Sequence, residues 1–248
     1  QVSPEGHTLW ATSVSHGFVG VIDADLRSVE AAVATGMGPA HVVLTVDGAR
    51  ALVTNSGDDT LAVIDAKRHA LVRTTATGPM PHGIRPSPDG RLALVADMGG
   101  TTVGLHDASS GKRIGEIEVG RTPVQVAISS DGRYGYVSLN DDATVAKVDL
   151  EERRVVGRVR VGGGPVQVFL TPDDSVLLVA SQGTRAQPGD SLSFVATAPM
   201  SVTAVVSTGS GAHGVVVDPS GRQAFVTNVW DGTVAVVTHD PEIGARAH

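Results

Sequence analysis

Imidazole side chains are the groups in this sequence most able to do chemistry, and several stand at matching positions before a recurring turn. His82 and His213 each lie seven residues before that turn, and His41 lies six residues before its own copy of it. Imidazole binds divalent metal ions, exchanges protons near neutral pH and hydrogen-bonds to anions. We therefore predict that His82, His213 and His41 are candidate ligands of one divalent metal ion or one anionic molecule.

The turn that relates these histidines marks an internal repeat. A turn signal, usually Asp-Gly, recurs at intervals of 42, 42, 42, 42 and 47 residues, at Glu5-Gly6, Asp47-Gly48, Asp89-Gly90, Asp131-Gly132, Asp173-Asp174 and Ser220-Gly221. Each repeat has one apolar run before the turn, one after it, a third that ends in Asp and a fourth that ends near Gly. Four short strands in about 42 residues are typical of one β-propeller blade, and no helical periodicity competes with this interpretation.

The repeats predict an all-β protein with six visible four-stranded blades in a single domain, 1–248. The predicted blades are 1–36, 37–78, 79–120, 121–162, 163–209 and 210–248. The ends fit less well, because only Val2-Ser3 remains of the first innermost strand and 241–248 offers no good outermost strand. A seven-bladed propeller with part of the chain missing is therefore the alternative.

Two short segments resemble a known repeat family. Val53-Thr54-Asn55 and Val226-Thr227-Asn228 each follow a turn and precede a Thr-x-x-Val strand, as in the YVTN-repeat β-propeller family. Agreement extends to the proline that opens four repeats and the aspartate that ends four third strands, namely Pro39, Pro81, Pro123 and Pro165, with Asp23, Asp65, Asp107 and Asp149. The resemblance implies blade-like sheets, commonly seven, in proteins that are often extracytoplasmic and act as binding surfaces, surface-layer modules or occasionally enzymes.

A propeller would bring the candidate histidines to one face. Loops that lead into the innermost strands open at the channel mouth, as do the loops between second and third strands, one of which contains His16. We expect His82, His213 and His41 to border one pocket on the channel axis, with His16 on the same face. In the alternative interpretation, these imidazoles only satisfy backbone groups of the loops.

Arg85 and Trp230 are further candidates on the same face. The position of Arg85 is apolar in the other repeats, and a guanidinium there needs a partner because its desolvation is costly. Either it forms a buried salt bridge with Asp58 or Asp97, or it binds an anion beside His82. Trp230 could stack on a ligand or could cover a neighbouring blade as a hydrophobic lid.

Composition limits the partners. Asp and Glu number 26 against 19 Lys and Arg, giving a net charge of −7, which disfavours nucleic acid as a partner. No apolar run approaches the roughly 20 residues of a membrane span. The start at Gln1 and the absence of cysteine favour a secreted, periplasmic or cell-surface protein.

These observations predict a binding or interaction module with a histidine-lined mouth, which takes a small molecule, a peptide or a surface protein. The alternative is a lyase or hydrolase that acts at the same mouth with a divalent metal ion or with histidine as acid and base. No Gly-x-Ser-x-Gly sequence, cysteine nucleophile or phosphate-binding glycine loop favours another class of enzyme. The fold alone does not decide between the two.

Overall fold

The computed structural model describes residues 1–240 and 244–247, which form β-strands joined by turns, with no helix in that part of the chain. The strands form six antiparallel sheets, each built from strands that are consecutive in sequence. The chain divides into two compact units, Gln1–Ile117 and Glu118–His248, which are described separately below.

The first unit contains three sheets. The first sheet is β1 (Thr8–Ser13), β2 (Phe18–Asp23) and β3 (Ser28–Ala34). The second is β4 (Pro39–Leu44), β5 (Arg50–Asn55), β6 (Thr60–Asp65) and β7 (Ala70–Ala76). The third is β8 (Pro81–Pro86), β9 (Leu92–Asp97), β10 (Thr102–Asp107) and β11 (Arg113–Glu118).

The second unit also contains three sheets. The fourth sheet is β12 (Pro123–Ile128), β13 (Tyr134–Leu139), β14 (Thr144–Asp149) and β15 (Arg154–Arg160). The fifth is β16 (Pro165–Leu170), β17 (Val176–Gly183), β18 (Pro188–Thr197) and β19 (Met200–Ser207). The sixth is β20 (Ala212–Val217), β21 (Gln223–Asn228), β22 (Thr233–Asp240) and β23 (Gly244–Ala247).

The first sheet agrees with the sequence prediction, and the last sheet does not. The first sheet has three strands, and Val2 adds only an isolated bridge to Leu9, as expected from the short Val2-Ser3 remnant. The expectation that the last sheet lacks an outer strand is wrong, because β23 pairs antiparallel with β22. The other residues of that tail, 241–243 and 248, lie outside the described part of the chain.

The recurrent aspartates cap turns. Asp65, the last residue of β6, accepts hydrogen bonds from the backbone N–H groups of Lys67 (3.1 Å) and Arg68 (2.9 Å). In the earlier turn, Asp47 accepts from the Thr45 hydroxyl (2.6 Å) and from a backbone N–H group, while the next residue, Gly48, takes a positive φ of 67°. A carboxylate therefore satisfies donors that the strand ladders leave unpaired.

Apolar side chains fill the space between neighbouring sheets within each unit. Leu52 and Leu61 of the second sheet are fully buried against Ile84 of the third sheet. The sixth sheet departs from this pattern, since Phe225 is 38% exposed and Val234 is 59% exposed at the positions equivalent to Leu52 and Leu61. In the part of the chain that the structure covers, no helix has the length and apolarity needed to cross a membrane.

Candidate functional site

The first unit brings two of the predicted histidines together through Thr54. The buried Thr54 hydroxyl on β5 accepts a hydrogen bond from the backbone N–H of His41 (3.2 Å) and donates one to the backbone carbonyl of His82 (2.6 Å). Both histidines lie at irregular pairings near the start of their strands, β4 and β8. One hydroxyl thus fixes the backbones of two neighbouring sheets where the histidines lie.

The imidazole rings of His41 and His82 meet edge to face. Their centroids are 4.7 Å apart, their planes cross at 70°, and both side chains are partly exposed. A neutral imidazole carries one donor and one acceptor nitrogen, and a protonated imidazole carries two donors. Each ring therefore carries at least one N–H donor in either protonation state, and the two rings support each other by contact.

Arg85 lies three residues after His82 on β8, about 10 Å along an extended strand. Its side chain is partly exposed, and desolvation lowers the pKa of the guanidinium below its ordinary value. Within the described residues Arg85 forms no ion pair or hydrogen bond. Its positive charge also helps to lower the pKa of the Gln1 ammonium group, after the larger effect of burial. We call His41, His82 and Arg85 the inner-strand site.

The expected salt bridge from Arg85 to Asp58 or Asp97 is wrong. Asp58 accepts hydrogen bonds from the Met37 backbone N–H (2.9 Å) and the Thr60 hydroxyl (2.6 Å). Asp97 is fully buried and pairs with Arg113 at 3.0 Å. Burial raises the pKa of Asp97 despite that pairing. Both carboxylates have other partners, and neither pairs with Arg85.

His16 makes local contacts in the turn between β1 and β2. Its Nδ1 atom lies 3.0 Å from the Ser13 hydroxyl and 3.2 Å from the Ser15 hydroxyl, and its ring centroid lies 6.0 Å from that of Phe18. These contacts match the interpretation in which a loop imidazole satisfies its neighbours. A role for His16 in ligand binding stays a prediction.

His213 belongs to the second unit, on β20. Its imidazole is partly buried, and desolvation lowers its pKa. The following residue, Gly214, donates its backbone N–H to the Thr227 hydroxyl at 2.9 Å. This repeats the bond between Thr54 and His41 in the second sheet. The predicted convergence of His213 with His82 involves both units and stays a prediction.

Trp230 packs within the second unit. Its indole lies over Gly211, whose φ of +77° and missing side chain leave room for the ring. The guanidinium of Arg185 lies 5.9 Å from the ring centroid, and 39% of the tryptophan surface remains exposed. The contacts fit a lid over the start of the sixth sheet, and a ligand-stacking role stays a prediction.

The metal prediction gains no structural support. Among the residues whose side chains the structure describes, 1–238, no three His, Asp or Glu side chains gather as a group that could hold a metal ion. Carboxylates in the loops, which could have contributed to such a group, accept hydrogen bonds from backbone N–H groups instead. Asp142 accepts from Arg121 N–H at 2.9 Å, and Asp231 accepts from Ser210 N–H at 2.5 Å. The prediction that His82, His213 and His41 bind a metal therefore rests on sequence alone.

A second charged residue also interrupts an apolar column of the repeats. Lys147 occupies a position on the third strand of its sheet where Val21, Val63 and Leu105 are apolar and buried. Its ammonium group lies in a cavity of the second unit. A charged residue in an otherwise apolar column is the same kind of signal that singled out Arg85.

Several solved structures are similar to this chain. A hydrazine synthase from Kuenenia stuttgartiensis aligns with a TM-score of 0.85 and 24% identity over 96% of this chain and 75% of that one. A protein of unknown function from Desulfotomaculum acetoxidans aligns with a TM-score of 0.84 and 17% identity, over 96% and 77% of the two chains. A protein provisionally assigned as a 6-phosphogluconolactonase from Bacteroides fragilis aligns with a TM-score of 0.82 and 17% identity, over 98% and 80%. At these identities the likeness shows the fold alone.

No curated protein matches the sequence. The model of the YNCE-like β-propeller family matches residues 12–240, nearly the whole chain. This match agrees with the six antiparallel sheets and with the resemblance to YVTN-type repeats. The chain belongs to the YNCE-like β-propeller family and has a six-bladed, all-β propeller fold.

Proposed function

We propose that the protein is a non-catalytic binding module that takes a small anionic molecule, a carboxylate or a phosphate, at the inner-strand site. His41 and His82 supply N–H donors, and Arg85 supplies a fixed positive charge. Guanidinium binds carboxylate and phosphate groups through two parallel hydrogen bonds, which gives such a site both affinity and orientation. We further propose that the protein works outside the cytoplasm.

The observation that carries this proposal is the state of Arg85. Arg85 is partly desolvated, and a desolvated charge without a counter-ion is costly, so proteins ordinarily pair it or neutralise it. The carboxylates expected to pair with Arg85 are occupied by Met37, Thr60 and Arg113. A bound anion would provide the missing charge. The net charge of −7 makes a locally cationic site more selective for its ligand, because the rest of the surface repels anions.

The test is calorimetric titration of the purified protein with succinate and with phosphate, comparing the wild type with R85M. Loss of a charged hydrogen-bonding partner costs a few kcal/mol, so we expect affinity to fall about 10-fold to 100-fold in R85M. Without a ligand, R85M should melt at the same temperature as the wild type or higher, because the variant no longer buries an unpaired charge.

The matched control is R73M, which removes an exposed arginine on β7. We expect R73M to bind both anions as the wild type does. Equal affinity of the wild type and R85M, or equal losses in R85M and R73M, would mean that general charge attraction explains the binding and that the inner-strand site does not exist.

A further inference from the structure

The fourth sheet carries a lysine in a layer that is otherwise apolar. Lys147 on β14 lies opposite Tyr136 on β13. The equivalent pairs in the second and third sheets are Val63 with Leu52 and Leu105 with Leu94, and these four side chains are at most 1% exposed. Packing alone would favour another apolar residue at this position, whereas Lys147 is only partly buried and lines a solvent-open cavity.

The ammonium group of Lys147 has neutral neighbours but no counter-ion. It donates a hydrogen bond to the Thr197 carbonyl at 3.1 Å and lies 4.1 Å from the centroid of the Tyr134 ring and 5.5 Å from that of Tyr136. In the described part of the chain it forms no ion pair. Desolvation lowers the pKa of Lys147, and the nearby charge of Asp131 opposes that shift only in part.

The two carboxylates that line the cavity beside Lys147 are paired with arginines. Asp149 accepts from the Arg133 guanidinium at 3.3 Å, and Glu152 pairs with Arg154 at 2.6 Å. Asp131 also acts on Lys147 electrostatically but does not line the cavity, whose lining holds three cationic side chains and two carboxylates, an excess of one positive charge. A ligand with a single negative charge would balance it.

The space for such a ligand is present beside Lys147. A solvent-open cavity of about 470 Å³ is bounded by β14, β15 and the turn between β18 and β19. This volume lies within the range of small-molecule sites. Val156, Pro199 and Met200 supply apolar lining next to the cationic groups. Gly157 opposes Lys147 on β15, and a side chain there would approach Met200 to 3.2 Å, so the glycine keeps this part of the cavity open.

We propose that this cavity, the Lys147 pocket, binds a small monocarboxylate with an apolar portion. The carboxylate pairs with the Lys147 ammonium group, and the apolar portion lies against Val156, Pro199 and Met200. The pocket lies entirely in the second unit and involves none of the residues of the inner-strand site. It is therefore a second ligand site, and its existence does not depend on the function proposed above.

The probe for this site is 4-phenylbutyrate, with the uncharged alcohol 4-phenylbutanol as its matched ligand control. We expect the wild type to bind the carboxylate about 10-fold to 100-fold more tightly than the alcohol, because only the carboxylate pairs with the ammonium group. K147M should lose the same factor, while K112M, which removes an exposed lysine, should keep wild-type affinity. Equal affinity for the two ligands, or unchanged affinity in K147M, would overturn the proposal.

A second readout uses the unchanged protein, so it does not depend on how K147M folds. The chain has three lysines, Lys67, Lys112 and Lys147, of which the first two are exposed. Acetylation of each can be followed by peptide mass spectrometry with and without 4-phenylbutyrate. We expect the ligand to slow the acetylation of Lys147 several-fold and to leave the other two rates unchanged. Equal rates at Lys147 with and without the ligand would show that the carboxylate does not bind there.

Discussion

His106 illustrates how a single side chain can make stability depend on pH. It is fully buried on β10, its Nδ1 atom lies 2.9 Å from the Gly111 carbonyl oxygen, and its Nε2 atom has no hydrogen-bond partner in the described structure. Burial lowers the pKa of this imidazole, and the charge of Arg113 adds to that effect. The folded protein therefore holds His106 in its neutral form.

This arrangement predicts a loss of stability in mild acid. The unfolded chain takes up a proton near pH 6.5, and the folded chain does so only at lower pH, so the free energy of unfolding falls as the pH drops below about 6.5. In H106I, which places the residue of the equivalent Ile64 at this position, the melting temperature should fall less between pH 8 and pH 5 than in the wild type. Melting curves followed by circular dichroism at the two pH values measure this difference, and parallel shifts in both proteins would contradict it.

At the scale of the strand, the Thr54 side chain connects two neighbouring sheets. Its hydroxyl joins the backbones of β4 and β8, and Ser138 makes the equivalent pair of bonds in the second unit, to Gln125 N–H and to the Val166 carbonyl, each at 3.0 Å. A small hydroxyl on the second strand thus connects the first strands of two neighbouring sheets. The two Thr54 bonds hold the backbones of His41 and His82 in place at the inner-strand site.

We expect T54V to lower the free energy of unfolding by about 1–3 kcal/mol, because a buried N–H and a carbonyl lose their partner. The same substitution should weaken succinate binding, since the histidines it positions are no longer held. T54S keeps the hydroxyl and should recover most of the affinity. Urea unfolding and calorimetry on the same samples measure both effects, and full binding by T54V would show that the hydroxyl does not position the site.

The strands were largely predictable because turn chemistry repeats every 42 residues. In the fourth repeat, the apolar runs at 124–129, 134–138, 144–149 and 154–161 agree with β12 to β15 within one residue at every end. Asp-Gly turns and strand-ending aspartates fix these boundaries locally, so they are visible in sequence. The fifth repeat is five residues longer than the others, and much of this added length extends the hairpin of β17 and β18.

Side-chain partners were less predictable than strands. The contact of His41 with His82 joins residues on neighbouring sheets, and the column alignment did place both at the start of a first strand. The choice of Arg113 as the partner of Asp97 depends on which arginine the pleat turns toward the carboxylate, and spacing alone does not reveal that choice. The identity of a charge partner therefore required coordinates.

At the scale of the whole molecule, the sixth sheet differs from the others in the exposure of one face. Val216, Phe225 and Val234 are 52%, 38% and 59% exposed, whereas their counterparts Val43, Leu52 and Leu61 are at most 5% exposed. The same repeat positions thus carry apolar residues in both sheets. These residues are buried in the second sheet and exposed in the sixth. A large part of the hydrophobic stabilisation per repeat is missing at this face.

This contrast predicts unequal costs for equivalent substitutions. L52S should lower the free energy of unfolding by about 3–5 kcal/mol, because it leaves a cavity and a buried hydroxyl. F225S, at the matching position of the sixth sheet, should cost about 1 kcal/mol or less and should improve solubility. Urea unfolding of both variants gives the comparison, and equal costs would mean that the sixth sheet is covered in solution.

The central claim is that a small anion binds at His41, His82 and Arg85. The most direct measurement is a nuclear magnetic resonance titration that follows the Arg85 Nε–H and the histidine ring protons as succinate is added at constant pH and ionic strength. We predict saturable shifts of Arg85, His41 and His82 with one common dissociation constant, while Arg73 and His7 do not move. Small, non-saturating shifts spread over all arginines and histidines would contradict the account.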